Sequence, residues 1–141
     1  MATSQSRRLL IAGSMLLLAG CGGLSEADAK ACDTGRKLVK YALSMTVVAP
    51  EEVVGQIAES AGARFPALVA DAADEGVKKA LGDVRTTLAA FRPTQVTSSG
   101  GTVTEQWGEK LKSDQLRKEN VEKLDATLRK QGNALNEACG T

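Results

Sequence analysis

Along most of this chain apolar residues recur every three to four positions, the period of a helix that buries one face. Ser25-Glu26-Ala27-Asp28 reads as an N-cap followed by acids in a first turn. It opens a helix whose apolar or small positions include Cys32, Gly35, Leu38, Val39, Ala42 and Met45, and which Val47, Val48 and Pro50 close. Pro50 suits the first position of a second helix, with Glu51 and Glu52 near its positive end and Val53, Val54, Ile57 and Ala61 as its apolar face. Gly62 is its expected stop. A third helical region begins near Phe65 or Pro66 and reaches about Phe91, because Val77, Leu81, Val84, Leu88 and Phe91 follow spacings of 4, 3, 4 and 3. Extended backwards, that stripe reaches Asp74. Phe65, Leu68, Val69 and Ala72 define a rotated stripe that loses phase around Gly76, so a kink or break is expected there.

Residues 92–103, with Pro93, Ser98, Ser99, Gly100 and Gly101, have turn composition and no apolar period, which predicts an exposed loop. Residues 104–112 are ambiguous. Trp107 and Leu111 stand four apart as in a helix, but Thr102-Val103-Thr104 is compatible with extended chain. From Ser113 or Asp114 to Ala138 the longest helix is expected, with Val121, Leu124, Leu128, Leu135 and Ala138 on one face and Gly140 just past its end. Asp74 and Lys78, Glu75 and Lys79, Asp114 and Lys118, Glu119 and Lys123, and Asp125 and Arg129 are acid-then-base pairs four apart, worth ~0.2–0.5 kcal/mol each on a solvated face.

The start of the chain has a different character. Arg7 and Arg8 precede a mostly apolar, uncharged run over residues 9–19, and Leu18-Ala19-Gly20-Cys21 closes it. The run is far shorter than the roughly 20 residues a bilayer-crossing helix needs. An ordinary secretory signal or a fortuitous buried cysteine would leave unexplained why small residues and a cysteine stand where the run stops. Leu18-Ala19-Gly20-Cys21 resembles the lipobox of bacterial lipoproteins: Leu, a small residue, Gly or Ala, then Cys. The resemblance covers only the leader. It implies that residues 1–20 are a signal peptide removed on export, and that the Cys21 thiol carries diacylglycerol while its new amino group often takes an acyl chain such as palmitate. Two or three such chains hold a protein to a membrane where one would not. Gly22, where many inner-membrane lipoproteins have Asp, implies an outer-membrane position facing the periplasm in a Gram-negative host. In a single-membrane host the expected place is the outer face of the cell membrane. Residues 21–25 form a short tether, and residues 26–141 the helical domain. Four residues reach only about 14 Å, so the domain is expected close to its membrane.

Once Cys21 is assigned, Cys32 and Cys139 remain as an even pair in an oxidising compartment, where a disulfide is the expected state; two free thiols would be the default in the cytosol. Such a bond needs Cα atoms about 4.4–6.8 Å apart, so both ends of the domain must meet. An even number of long antiparallel helices returns the chain to its starting end. The expected fold is therefore all-α, a small antiparallel bundle of four helices with one disulfide joining its N- and C-terminal ends. Val47 to Pro50 and the loop over residues 92–103 should turn at the end opposite the disulfide.

Removing Arg7 and Arg8 with the leader takes the 18 basic side chains to 16 against 17 acidic ones, a balance that offers nucleic acid no attraction. Histidine is absent, which removes the usual general base at neutral pH and the commonest transition-metal ligand. No Walker loop, dinucleotide fingerprint, nucleophile elbow or EF-hand spacing occurs. Asp71, Asp74 and Glu75 are carboxylates at helical spacing, better read as surface acids than as a cation site. Trp107 is either an exposed anchor beside a Gly-rich loop or a core residue. No cofactor, metal or catalytic residue is expected. The preferred reading is a non-enzymatic envelope module, held to a membrane through Cys21, that presents a surface to another protein. A carrier or sensor of a small apolar ligand between helices is the second reading, and an anchored enzyme using carboxylates or a Ser-Lys pair the third.

Overall fold

The Ser25 hydroxyl accepts the Asp28 N–H at 3.1 Å and starts α1 (Glu26–Val48). The computed structural model describes residues 23–97 and 100–140; the leader, Cys21, Ser98, Ser99 and Thr141 lie outside the described residues. Pro50 is the N-cap of α2 (Glu51–Gly62) and not its first residue. α3 (Phe65–Asp71) is short and carries Pro66 in its first turn, where a missing N–H costs nothing. Asp74 caps α4 (Glu75–Ala90) by accepting the Val77 N–H at 3.0 Å. α5 (Val103–Ala138) opens on a capping box in which Thr102 and Glu105 satisfy each other's backbone N–H. Gly140, at φ 70°, follows its last turn, and its N–H bonds to the Glu137 carbonyl at 3.1 Å.

Two antiparallel registers organise these helices. Cys32 bonds to Cys139, Val39 lies against Gly132, and the Thr46 hydroxyl reaches Asp125 at 2.6 Å. Each step of seven residues up α1 is thus matched by seven down α5, the spacing of a coiled-coil seam. The second register pivots on Ala73: Phe65 and Leu81 both approach Gly35, Gly55 lies against Pro93, and Glu51 bonds to Thr94. α2 and α3 together run down, and α4 runs back up beside them. The result is the all-α bundle of four antiparallel rods, α1, α2 with α3, α4 and α5, with the disulfide joining its ends.

The break expected near Gly76 falls at residues 72–74 and is a full reversal. The rotated stripe of Phe65, Leu68, Val69 and Ala72 therefore belongs to the descending rod that α2 begins, and not to a kinked third helix. Asp74, an extension of the α4 stripe by period, is spent on the cap.

Phe65, Val77, Leu81, Val84, Leu88, Leu128, Leu135 and Cys32 form the fully buried centre. Gly35 sits where three rods meet: a Cβ there would stand 2.6 Å from Leu81 Cδ2 and 3.3 Å from Leu135 Cδ2. A side chain there would force the buried Leu81 or α1 itself to shift. Among the described residues no helix is long and apolar enough to cross a membrane.

Candidate functional site

The two ends of the bundle are each closed by a buried carboxylate. At the disulfide end, Asp28 Oδ1 accepts the N–H groups of Ala73 and Asp74 at 2.7 and 3.0 Å, while Oδ2 accepts the Ser25 hydroxyl at 2.5 Å. One side chain thus fastens the α3–α4 corner to the start of α1. The Ser25 hydroxyl, with the Asp74 and Ala73 N–H groups, holds the Asp28 carboxyl below its ordinary value. The disulfide, with Cα atoms 6.1 Å apart, closes the same end and spans 107 residues of sequence.

At the opposite end Glu51 is equally buried, at 5 % exposure. Its Oε1 accepts from Thr94 Oγ1 at 2.9 Å and from Asn120 Nδ2 at 2.5 Å, and Asn120 also donates to the Arg92 carbonyl at 2.9 Å. Arg117 stands alongside, 3.8 Å from Glu51 Oε2 and 3.2 Å from Glu52 Oε1. The cluster joins the start of α2, the linker after α4 and the middle of α5, at the end opposite the disulfide where both turns are expected.

Past that cluster α5 leaves the bundle. By its register with α1, the residues of α5 before about position 120 have no α1 residue beside them. α5 is about 54 Å long against about 35 Å for α1. Residues 101–112 are all exposed, Val103 at 70 %, Trp107 at 59 % and Leu111 at 67 %. These three follow one another at intervals of four and make a single apolar stripe on the projecting arm. Lys110 Nζ lies 5.6 Å from the centre of the Trp107 ring, a cation–π contact that leaves the rest of the indole open. Val47 and Val48, at 72 % and 75 % exposure, add apolar surface at the same end.

A second feature runs along the seam between α1 and α5. A groove of about 610 Å³ has Val39, Leu43, Val47 and Leu135 along its floor and Arg36, Lys40 and Arg129 among its polar lining. Arg129 is paired with Asp125 at 2.6 Å, an acid that Arg129 and the Thr46 hydroxyl hold well ionised. Arg36 and Lys40 have no ion-pair partner among the described residues.

Of the residues singled out from sequence, Cys32 and Cys139 are brought together as a disulfide, and Cys21 lies outside the described residues. Asp71, Asp74 and Glu75 do not act together: Asp71 ends α3, Asp74 caps α4, and Glu75 pairs with Lys78 at 2.9 Å. Trp107 is exposed and not core. Among the expected acid–base pairs Asp125–Arg129 forms, whereas Lys79 turns to Asp83 and Lys118 to Glu122. The Glu51, Arg117 and Asn120 cluster has no local sequence signal, because Glu51 precedes Asn120 by 69 positions and meets it only where the start of α2 packs beside α5. No family model, curated protein or solved structure matches the chain.

Proposed function

We propose that this chain is an extracytoplasmic module, anchored through lipid on Cys21, whose α5 arm docks another envelope protein. The observation that carries the reading is the arm itself. A helix that continues past its bundle and keeps Val103, Trp107 and Leu111 in solvent has the anchors of an interface without a partner in place. An aromatic ring flanked by aliphatic side chains at helical spacing is what a helix offers to an apolar groove on another protein. The arm also lies at the end of the bundle remote from Gly23 and from the disulfide, so a lipid on Cys21 would leave it facing away from the bilayer. Its charges, Glu105, Glu109 and Asp114 against Lys110, Lys112 and Arg117, are balanced, which favours a contact made by apolar surface over one made by charge.

Two measurements test the two parts. Mass spectrometry of the protein from its native membrane should show a chain beginning at a diacylglycerol-modified Cys21; an intact leader or an unmodified residue 21 refutes the anchor. A photo-crosslinker placed at Leu111 in living cells should give one recurrent adduct that disappears in Trp107→Ala. If the same label at Arg85, on the exposed face of α4, gives the same adducts, the docking reading falls.

A further inference from the structure

We infer that the groove between α1 and α5 is a binding site for a single-chain amphiphile with an anionic head. Its walls come from two adjacent rows of α1 and one face of α5. Arg36, Lys40 and Ser44 are four apart on one row of α1, Val39, Leu43 and Val47 on the next, so the same helix supplies a polar edge and an apolar floor side by side. Gly132 brings α5 against Val39, and Asn133 lines the groove from α5. The volume of about 610 Å³ is that of a small-ligand site, and the groove extends about 16 Å along α1 between Arg36 and Val47.

The charge of the lining selects the head group. Three cations and no carboxylate line the groove, in a chain whose acids and bases nearly cancel. Arg129 is already engaged by Asp125, which leaves Arg36 and Lys40 as the uncompensated pair on the α1 row. Arg36 Nε is in addition buried without a hydrogen-bond partner among the described residues. A donor-rich edge over aliphatic floor suits a carboxylate or phosphate head whose hydrocarbon tail lies along Val39, Leu43 and Val47. A cationic or zwitterionic amphiphile would set charge against Arg36 and Lys40, and a small anion would leave the floor wet.

The test uses the folded domain with its disulfide intact and probes below their micellar concentrations, read by isothermal calorimetry. Dodecanoate and dodecyl phosphate should bind saturably at one site, at least about tenfold more tightly than dodecyltrimethylammonium, a tenfold step that corresponds to about 1.4 kcal/mol. Affinity should climb by up to about fourfold per methylene from octanoate to dodecanoate. Arg36→Gln with Lys40→Gln should weaken dodecanoate about tenfold while leaving the circular dichroism spectrum unchanged, and Ser44→Trp, filling the groove from an exposed position, should weaken every probe. Three results overturn the inference: no saturable binding, equal affinity for the cationic and anionic probes, or acetate and inorganic phosphate binding as tightly as dodecanoate.

Discussion

The two halves of α5 share one unbroken helix and almost nothing else. Residues 118–138 bury Leu124, Leu128 and Leu135 against α1 and α4, carry the Asp125 contact to Thr46 and end in the disulfide. Residues 103–117 bury no apolar side chain and rest on helix propensity, the capping box of Thr102 and Glu105, the Gln106 bond to the Gly101 carbonyl and, at their inner end, the Arg117 pair with Glu52. Short isolated helices are marginal in water, so the outer half is helical chiefly because it propagates from the packed half. The difference teaches that helix and core are separate properties here: the same periodicity of Leu, Lys and Glu is spent on stability in one half and left available in the other.

The comparison predicts where substitutions should matter. The largest effect belongs to the disulfide at the packed end. Cys32→Ser with Cys139→Ser should cost up to ~4.7 kcal/mol, the chain-entropy value for a loop near the observed 107 residues, and lower the thermal midpoint accordingly. Next, Leu128→Ala should cost about 2–5 kcal/mol in denaturant unfolding, while Leu111→Ala, on the same helix, stays within about 0.5 kcal/mol. Comparable costs at the two positions would mean that the arm is packed in solution.

A third test concerns acid. Asp28 is held below its ordinary pKa by Ser25 and the Asp74 and Ala73 N–H groups, so the folded state binds its proton less readily than the unfolded chain. The stability this provides is complete above the unfolded value of about 3.9 and is lost as pH falls towards the folded one. Asp28→Asn should therefore flatten the fall of the thermal midpoint below about pH 4, and a slope equal to the parent's would refute the clamp. The smallest effect is expected on the arm itself. Gly108→Ala meets no atom within 4 Å, so it should stabilise the arm by about 0.5–1 kcal/mol, seen as slower amide exchange over residues 104–112 with little change in the global midpoint.

Much of this architecture is written locally. Ser25 and Asp74 cap helices in the way short polar residues before apolar periods do, and the even cysteine pair forced both ends together. The reversal at residues 72–74 was visible as a loss of phase, but a phase change does not say whether the chain bends or turns back. That depends on Gly35, Phe65 and Leu81 meeting from three rods. The early start of α5 had a local sign too, since Thr102-Val103-Thr104-Glu105 is a capping box, but the β-branched residues inside it compete with that reading. What no local pattern could disclose is exposure. Trp107 and Leu111 have the spacing of buried residues, and only the lengths of α1 and α5 reveal that α1 does not reach them. The groove was hidden for the same reason, because Arg36 and Lys40 become neighbours of Arg129 only in the α1–α5 register.

The covalent link between Cys32 and Cys139 also settles how tension would travel. A pull applied at Gly23 and at the tip of the arm enters through the first turns of α1, crosses the sulfur bridge and climbs α5 directly. The covalent path bypasses residues 33–102, so a tug on the tip reaches Gly23 along a single strut.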